Sequence, residues 1–289
     1  MGRISIKLVA VALLAVVSMS LVPILIRSTQ ANEITIGLVR LAIAILAITP
    51  VILIKKFHRQ LSKSDWLSLC VVGLVFGGHW LSYFVAIKLS SAAIAAVALS
   101  TYGIHLLILN WLVKKQVVSL VEWLAVIACF LGCLLVAPEF DLGNELTLGL
   151  LIGIGSGFLY ACLPLLHQRI IHIPTASRAW GQFLFASLIF LPLSGQSDWQ
   201  LQIGDWWRLA VLGIVCTLVG HSLWVKVSSE LPGVITGVIY YLYVPIAMCM
   251  AIFFLGEEIN PSMILGAILI VGANILIALN SWKKLRSSY

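Results

Sequence analysis

The sequence predicts an all-α integral membrane protein of ten transmembrane helices, folded as two inverted five-helix repeats with N- and C-termini cytoplasmic. Three observations carry this expectation. Hydrophobic residues make up 61% of the chain and charged residues only 10%, too little polar surface to wrap a soluble domain of 31.5 kDa. Ten apolar runs follow one another, each near the ~20 residues that a span requires. The chain also repeats itself at an offset of 138–142 residues.

The first run, 8–26, follows Arg3 and Lys7 and has the flavour of a signal peptide. It is long enough to span and nine more runs follow, so it is read as a retained first helix. The others are 34–54, 66–87, 92–112, 118–137, 148–168, 175–193, 206–227, 233–255 and 261–281. They use nearly the whole chain and leave no soluble domain for separate chemistry. The connections are short, and the longest, 55–65 and 194–205, are polar and carry the usual breakers. Trp66, Trp123, Trp206, Trp207 and Trp282 stand at run ends, where amphipathic indoles anchor at the interface. The fourth run opens with Ala92, Ala93, Ala95 and Ala96, the sixth with Gly149, Gly153 and Gly157. Such small faces let backbones approach closely and read as packing or sliding seams.

Pro23 answers Pro164, Pro50 answers Pro192, and Ser64-Asp65-Trp66 answers Gly204-Asp205-Trp206. Gly73 answers Gly213, and Lys88-Leu89-Ser90-Ser91 answers Lys226-Val227-Ser228-Ser229. The first repeat is placed at 1–140 and the second at 146–284. Five spans per copy is an odd number, so the second copy crosses in the opposite sense. Inverted repeats of this kind mark transporters, with the substrate site between them near the midplane. Pro23 and Pro164 should kink their helices, and their matched placement favours a hinge or an opened wall beside that site.

The net charge of +7 does not announce a nucleic-acid partner. With the N-terminus inside, Arg3, Lys7, Lys55, Lys56, Arg59, Lys63, Lys114, Lys115, Arg169, Arg178, Lys226, Lys283, Lys284 and Arg286 fall on the inner side. Arg27, Lys88 and Arg208 fall outside and Arg40 within a span, a strong positive-inside bias. Glu139, Asp141 and Glu145 lean outward. The expected partners are therefore the lipid bilayer of a cell inner or plasma membrane and a small-molecule substrate, with the multi-pass chain a monomer or weak homodimer. All six cysteines fall within the runs, and Cys129 and Cys133, which share a face, have no histidine at metal-ligand spacing. They read as buried small residues, and no disulfide, metal or cofactor is inferred.

Tyr241-Leu242-Tyr243-Val244-Pro245 lies mid-way along the ninth run, Gly256-Glu257 closes it, and Gly266 and Gly272 follow in the tenth. Gly78-His79-Trp80-Leu81-Ser82-Tyr83 and Gly220-His221 mark the third and eighth runs. With these residues in view the whole chain resembles the EamA-like family of the drug/metabolite transporter superfamily. The resemblance implies a ten-helix transporter, more often an exporter, and says little about substrate. The first copy departs from the family pattern, with Gly103 where proline is usual and Lys114-Lys115 where Gly-Glu is usual.

Polar residues inside a membrane are costly and so are candidate site residues. All eleven acids fall in loops or near run ends, Glu122 being the most inset. The first run offers only Ser18 and Ser20, so a carboxylate proton relay is not expected there. Arg40 sits six residues into the second run and either snorkels outward or faces the bundle to meet a substrate carboxylate. Its repeat counterpart, Gln182, is also polar. His79 and Tyr83, Tyr102 and His105, and His221 and Trp224 each share a helix face, with Tyr240, Tyr241 and Tyr243 following. A lone histidine in a span is commonly a helix–helix partner, but three histidine–aromatic pairs favour a cavity lined by aromatic and neutral hydrogen-bonding groups. The candidate substrate-binding set is Arg40, His79, Tyr83, Tyr102, His105, Tyr160, His221, Trp224 and Tyr241, with His167 a weaker candidate near the inner end. Lys88 and Lys226, at opposite mouths, read as snorkelling side chains.

The sequence thus anticipates a secondary transporter of small metabolites, amino acids or similar amphipathic solutes, working by alternating access. A facilitative, channel-like permease without ion coupling is the alternative. Histidine protonation near neutral pH offers a route to proton coupling, and uncoupled flux fits equally well. No nucleophile with a positioned base, Asp pair or H-E-x-x-H pattern points to an enzyme.

Overall fold

A computed structural model describes residues 6–57, 61–115, 117–136, 141–231 and 238–287. Arg3, Arg59, Glu139, position 137 of the fifth predicted span and positions 233–237 of the ninth lie outside the described residues, as do the side chains of Lys114, Ser229, Trp282, Lys284 and Arg286. Among the described residues every element is helical. In chain order these are α1 (Ile6–Ser28), α2 (Glu33–Ile54), α3 (Lys63–Leu89), α4 (Ala92–Leu99), α5 (Tyr102–Lys114), α6 (Leu120–Val136), α7 (Glu145–Arg169) and α8 (Thr175–Phe190). Then come α9 (Ile203–Val211), a π-helical segment (Leu212–His221), α10 (Ser222–Glu230), α11 (Tyr243–Met250) with a π-helical end (Ala251–Leu255), and α12 (Pro261–Ser287).

Among the described residues, eight helical stretches are long and apolar enough to cross a membrane. Two of the ten predicted spans fall short of that measure. The fifth is the 17-residue α6. The seventh, predicted at 175–193, stops as α-helix after 16 residues, because Pro192 cannot continue the ladder and Leu191–Gln196 tightens into a 3₁₀ turn.

Local chemistry fixes the helix starts. Asn32 caps α2 through Thr35 N at 2.9 Å, Ser62 and Asp65 form a reciprocal capping box on α3, and Ser91 and Asn144 cap α4 and α7. Glu122 serves a cap as well, accepting from Ser119 N at 2.7 Å and Ser119 Oγ at 2.9 Å.

Packing pairs the copies against each other. α3 runs along α7 and α8, α1 and α2 run along the π segment Leu212–His221, and α6 runs along α12. The predicted glycine seam of α7 packs against α4, meeting residues at its two ends rather than the predicted alanines Ala92, Ala93, Ala95 and Ala96. An ideal Cβ on Gly149 or Gly153 would meet Ser90 Cβ or Ala98 Cβ at 2.7 Å, and on Gly157 would meet Thr101 Oγ1 at 3.0 Å. At the α6–α12 crossing, a Cβ on Gly132 would sit 2.8 Å from Gly266 O, and one on Gly266 would sit 2.6 Å from Gly132 O. All six cysteines are free.

The chain breaks where the sequence did not place its hinges. α1 and α7 run through Pro23 and Pro164 without interruption. The interruptions fall at Ser100–Thr101, between α4 and α5, and at Leu242, ahead of α11. Thr101 and Leu242 are 141 residues apart, the offset of the repeat. In the second copy Pro245 has no N–H to give to Tyr241 O. In the first, Ser100 Oγ bonds back to Val97 O and Thr101 Oγ1 to Ala98 O, both at 2.7 Å, drawing carbonyls out of the ladder. Gly103 has a separate reason, since a Cβ there would lie 1.9 Å from the Tyr241 hydroxyl and 2.2 Å from Asn274 Oδ1. The helix ends correspond too: Lys115 (φ 55°) and Gly256 (φ 65°) both adopt the left-handed conformation, again 141 apart. Backbone therefore pairs Lys115 with Gly256, one position off the predicted match of Lys114-Lys115 with Gly256-Glu257.

The α6–α12 crossing gives a test of packing. Gly266→Ala is expected to lower the free energy of unfolding by about 1–3 kcal/mol, because the new methyl meets backbone rather than a yielding side chain. Gly272→Ala, with nothing within 4 Å of the added carbon, is expected to gain ~0.5–1 kcal/mol from helix propensity. Denaturation of the purified variants in detergent measures both.

Candidate functional site

A small cavity of about 30 Å³ lies between the middle parts of α1, α2, α3 and α7 and the ends of α4 and the π segment, closed on one side by the interrupted ninth helix. Its polar lining is Arg40, His79, Tyr83, Tyr160, His221, Tyr240 and Tyr243, with Trp80 and Phe84 beside them. No Asp or Glu lines it among the described residues.

Arg40 is fully buried on α2 and faces the bundle rather than the interface. Its Nε donates to Thr217 Oγ1 at 2.9 Å. Thr217 Oγ1 in turn donates to Leu212 O at 2.8 Å, a five-residue return that the wide π turn permits. The guanidinium carbon lies 4.0 Å from the Trp80 ring centre and 5.1 Å from that of Phe84. Nη1 and Nη2 have no hydrogen-bond partner among the described residues.

His79 is held across the α3–α7 interface by a reciprocal pair. Ser156 Oγ donates to His79 O at 2.9 Å and lies 2.8 Å from His79 Nδ1. Because that hydroxyl proton is already committed to the carbonyl, Nδ1 is the donor, and the Nε2 lone pair is left for whatever shares the cavity. Opposite, the hydroxyls of Tyr83 and Tyr243 bond to each other, joining α3 to α11. The rings of Tyr243 and Tyr240 stack at 5.8 Å and 4°. Beyond the cavity lies an aromatic layer in which Tyr102 meets Tyr240 at 4.9 Å, Tyr160 at 5.5 Å and Tyr241 at 5.5 Å, while Trp224 meets Tyr240 at 5.1 Å.

The model of the EamA-like transporter family matches residues 6–137 and again residues 147–279. The chain belongs to the EamA-like transporter family. It is 25% identical to the uncharacterized transporter YwfM of Bacillus subtilis (strain 168) over 202 residues, 68% of each chain. It is 28% identical to the uncharacterized transporter sll1319 of Synechocystis sp. (strain ATCC 27184 / PCC 6803 / Kazusa) over 148 residues, 48% of this chain and 44% of that one. A solved crystal structure of a protein matches with a TM-score of 0.69 at 14% identity, over 96% of this chain and 98% of that one, a likeness of fold alone. This EamA-like chain is a multi-pass membrane transporter.

Of the predicted site residues, the EamA-like chain brings Arg40, His79, Tyr83, Tyr160 and His221 to the cavity wall. Tyr102, Tyr241 and Trp224 belong to the aromatic layer behind it. His105 stands apart, with Nε2 3.3 Å from Thr101 Oγ1 and its ring edge-on to Phe158 at 5.8 Å. His167 bridges α7 to α8 through Gln182 Oε1 at 2.8 Å. The sequence favoured Tyr241 where the cavity uses Tyr240 and Tyr243; those two are three apart, the helical spacing that marks a shared face. Thr217 carried no local signal, since its partner is 177 residues away.

One end of the bundle is tied by polar contacts. Glu257 Oε1 and Oε2 accept from Ala92 N at 2.8 Å and Ala93 N at 3.1 Å, capping α4 from the far end of the other copy. Asp205 Oδ1 accepts from Thr29 Oγ1 at 2.9 Å and Gln30 N at 3.1 Å. Arg27 Nη1 donates to Lys88 O at 2.6 Å, and half-buried Lys88 gives its ammonium to Thr29 O rather than snorkelling. Beside Glu257 opens a larger cavity of about 370 Å³, lined by Ser91, Asn144, Thr147 and Glu258 among others.

Tyr83→Phe and Tyr243→Phe are each expected to cost about 1–2 kcal/mol, since each leaves one buried hydroxyl unpaired. The double variant should cost less than the sum, with a coupling of ~0.5–1.5 kcal/mol read from a thermodynamic cycle of detergent unfolding.

Proposed function

We propose that the chain is a secondary transporter of ten spans in two inverted five-helix copies, exporting small amphipathic metabolites across the inner or plasma membrane by alternating access. Amino acids and solutes of similar size are the first candidates. The observation that carries this reading is the pair of interrupted helices, 141 residues apart, flanking a buried polar cavity near mid-helix. Irregular backbone at membrane depth is tolerated only where protein or a cavity satisfies it, and discontinuous helices at repeat interfaces are where such carriers bind their cargo.

The size of the cavity favours a carrier over a continuous pore. Its ~30 Å³ is a tenth of the ~300 Å³ at which small-molecule pockets begin, so the conformation is closed around the site. Access from the tied end requires Glu257 to release the α4 amides. The positive-inside count supports that end as the outer one, with both termini inside, and the export direction follows the habit of the family.

Counterflow in proteoliposomes tests the reading. Solute on the far side is expected to accelerate uptake of labelled solute, and absence of that acceleration together with very high unitary flux makes the protein a channel. His79→Ala and Tyr102→Phe are each expected to cut flux several-fold at unchanged expression. Normal flux in both removes these residues from the pathway.

A further inference from the structure

We infer that Arg40 is a receptor for a carboxylate, and that the solute taken by the central cavity is a monocarboxylate with an apolar body and no cationic group. This rests on the transport reading above and narrows its amphipathic solutes to acids with a neutral body, setting the amino-acid zwitterions aside. An unpaired charge in a low-dielectric interior is among the costliest arrangements a fold can hold. Arg40 is such a charge, and its surroundings do not quench it. Thr217 holds only Nε, the rings of Trp80 and Phe84 cover the guanidinium, and Nη1 and Nη2 have no partner among the described residues. The fork is thereby fixed in direction on a residue that lines the cavity, while its two terminal nitrogens remain unused among the described residues. A planar fork with two free N–H groups side by side matches the two oxygens of a carboxylate.

Charge balance selects the rest of the solute. Among the described residues of the cavity wall, Arg40 is the one Arg or Lys and no acid accompanies it. A single negative charge is neutralised one to one, whereas a phosphate dianion would bring a charge with no mate. An ammonium would face a guanidinium with no carboxylate to hold it. The repeat supplies no second cation, because the counterpart of Arg40 is Gln182, which is bonded to His167 outside the cavity. Phenol rings and imidazoles are left to take the neutral body and any hydroxyl it carries.

The test uses the full chain purified in detergent and reconstituted in liposomes, with matched acid and amide pairs as probes, from propionate and propionamide to 3-phenylpropionate and 3-phenylpropionamide, together with L-phenylalanine and phenyl phosphate. One or more acids are expected to raise the melting temperature and cross the liposome membrane, with the amide, the zwitterion and the phosphate weaker. Arg40→Met is expected to melt no lower than the parent without probe and to lose the acid response, a fall in affinity of about thirtyfold or more. Thr217→Val, which keeps the charge but frees its anchor, is expected to weaken the acid response several-fold. An acid–amide difference that survives in Arg40→Met, amides that bind as well as acids, or no response to any acid overturns the assignment. Flux of the acids that equals that of the amides and is unchanged in Arg40→Met overturns it while sparing the transport reading. Acid-selective binding without flux does the reverse.

Discussion

The hydrogen bond from Arg40 to Thr217 fixes the buried charge on which the central site depends. It joins α2 to the eighth span across 177 residues and holds a fully buried guanidinium in one orientation. Thr217 serves that contact because its own proton returns to Leu212 O five residues back, a geometry an ordinary α-helix does not offer. The widened turn, the aromatic face of α3 over the guanidinium and the neighbouring rings of His221 and Trp80 at 5.6 Å are parts of one arrangement. Removing the charge alone would leave the widened turn and the aromatic roof without the group they surround.

Around that centre the two copies are linked by devices that a moving bundle can use. The α4–α7 seam of glycine, alanine and serine is smooth enough for one helix to shift along the other without extracting large side chains. Glu257, at the end of the ninth helix, holds the first amides of α4, so each interrupted helix touches the other copy's interrupted helix at a polar joint. A carboxylate on backbone amides at a helix start is worth about a kilocalorie or two, enough to bias a conformation and small enough to release. Such a joint is suited to a gate that opens and closes rather than to a permanent staple.

Much of the fold was legible because the bilayer restricts what a sequence can mean. Apolar runs of span length and a repeat at a fixed offset specify helices and their pairing, and the resemblance at Tyr241–Pro245 and Gly256-Glu257 agreed with both. The short α8 was harder to see, because Pro192 ends it early inside an otherwise apolar run. The break at Thr101 was missed for a chemical reason: two hydroxyls bonding back to carbonyls do in the first copy what Pro245 does in the second, and no proline announces them. Helical spacing correctly grouped His79 with Tyr83. It failed for His105, which shares α5 with Tyr102 yet does not line the cavity, and it did not separate Tyr240 and Tyr243, whose rings stack at the cavity wall, from Tyr241 beside them. The burial of Arg40 could not be decided from its position in the run, since snorkelling and inward-facing arginines look alike without their partners.

The same asymmetry that clouded the sequence gives the site its direction. In an inverted duplication the two halves exchange roles as access alternates, and a fully symmetric cavity would present the same chemistry from either side. Here the matched positions Arg40 and Gln182 differ, and only the first reaches the cavity. On the alternating-access reading proposed above, the charge would stay on the α2 side whichever mouth is open. A solute with a charged head and an apolar body would then keep its head at α2 and its body against the tyrosines of the ninth helix throughout the cycle, and the halves would move around an oriented cargo instead of turning it over.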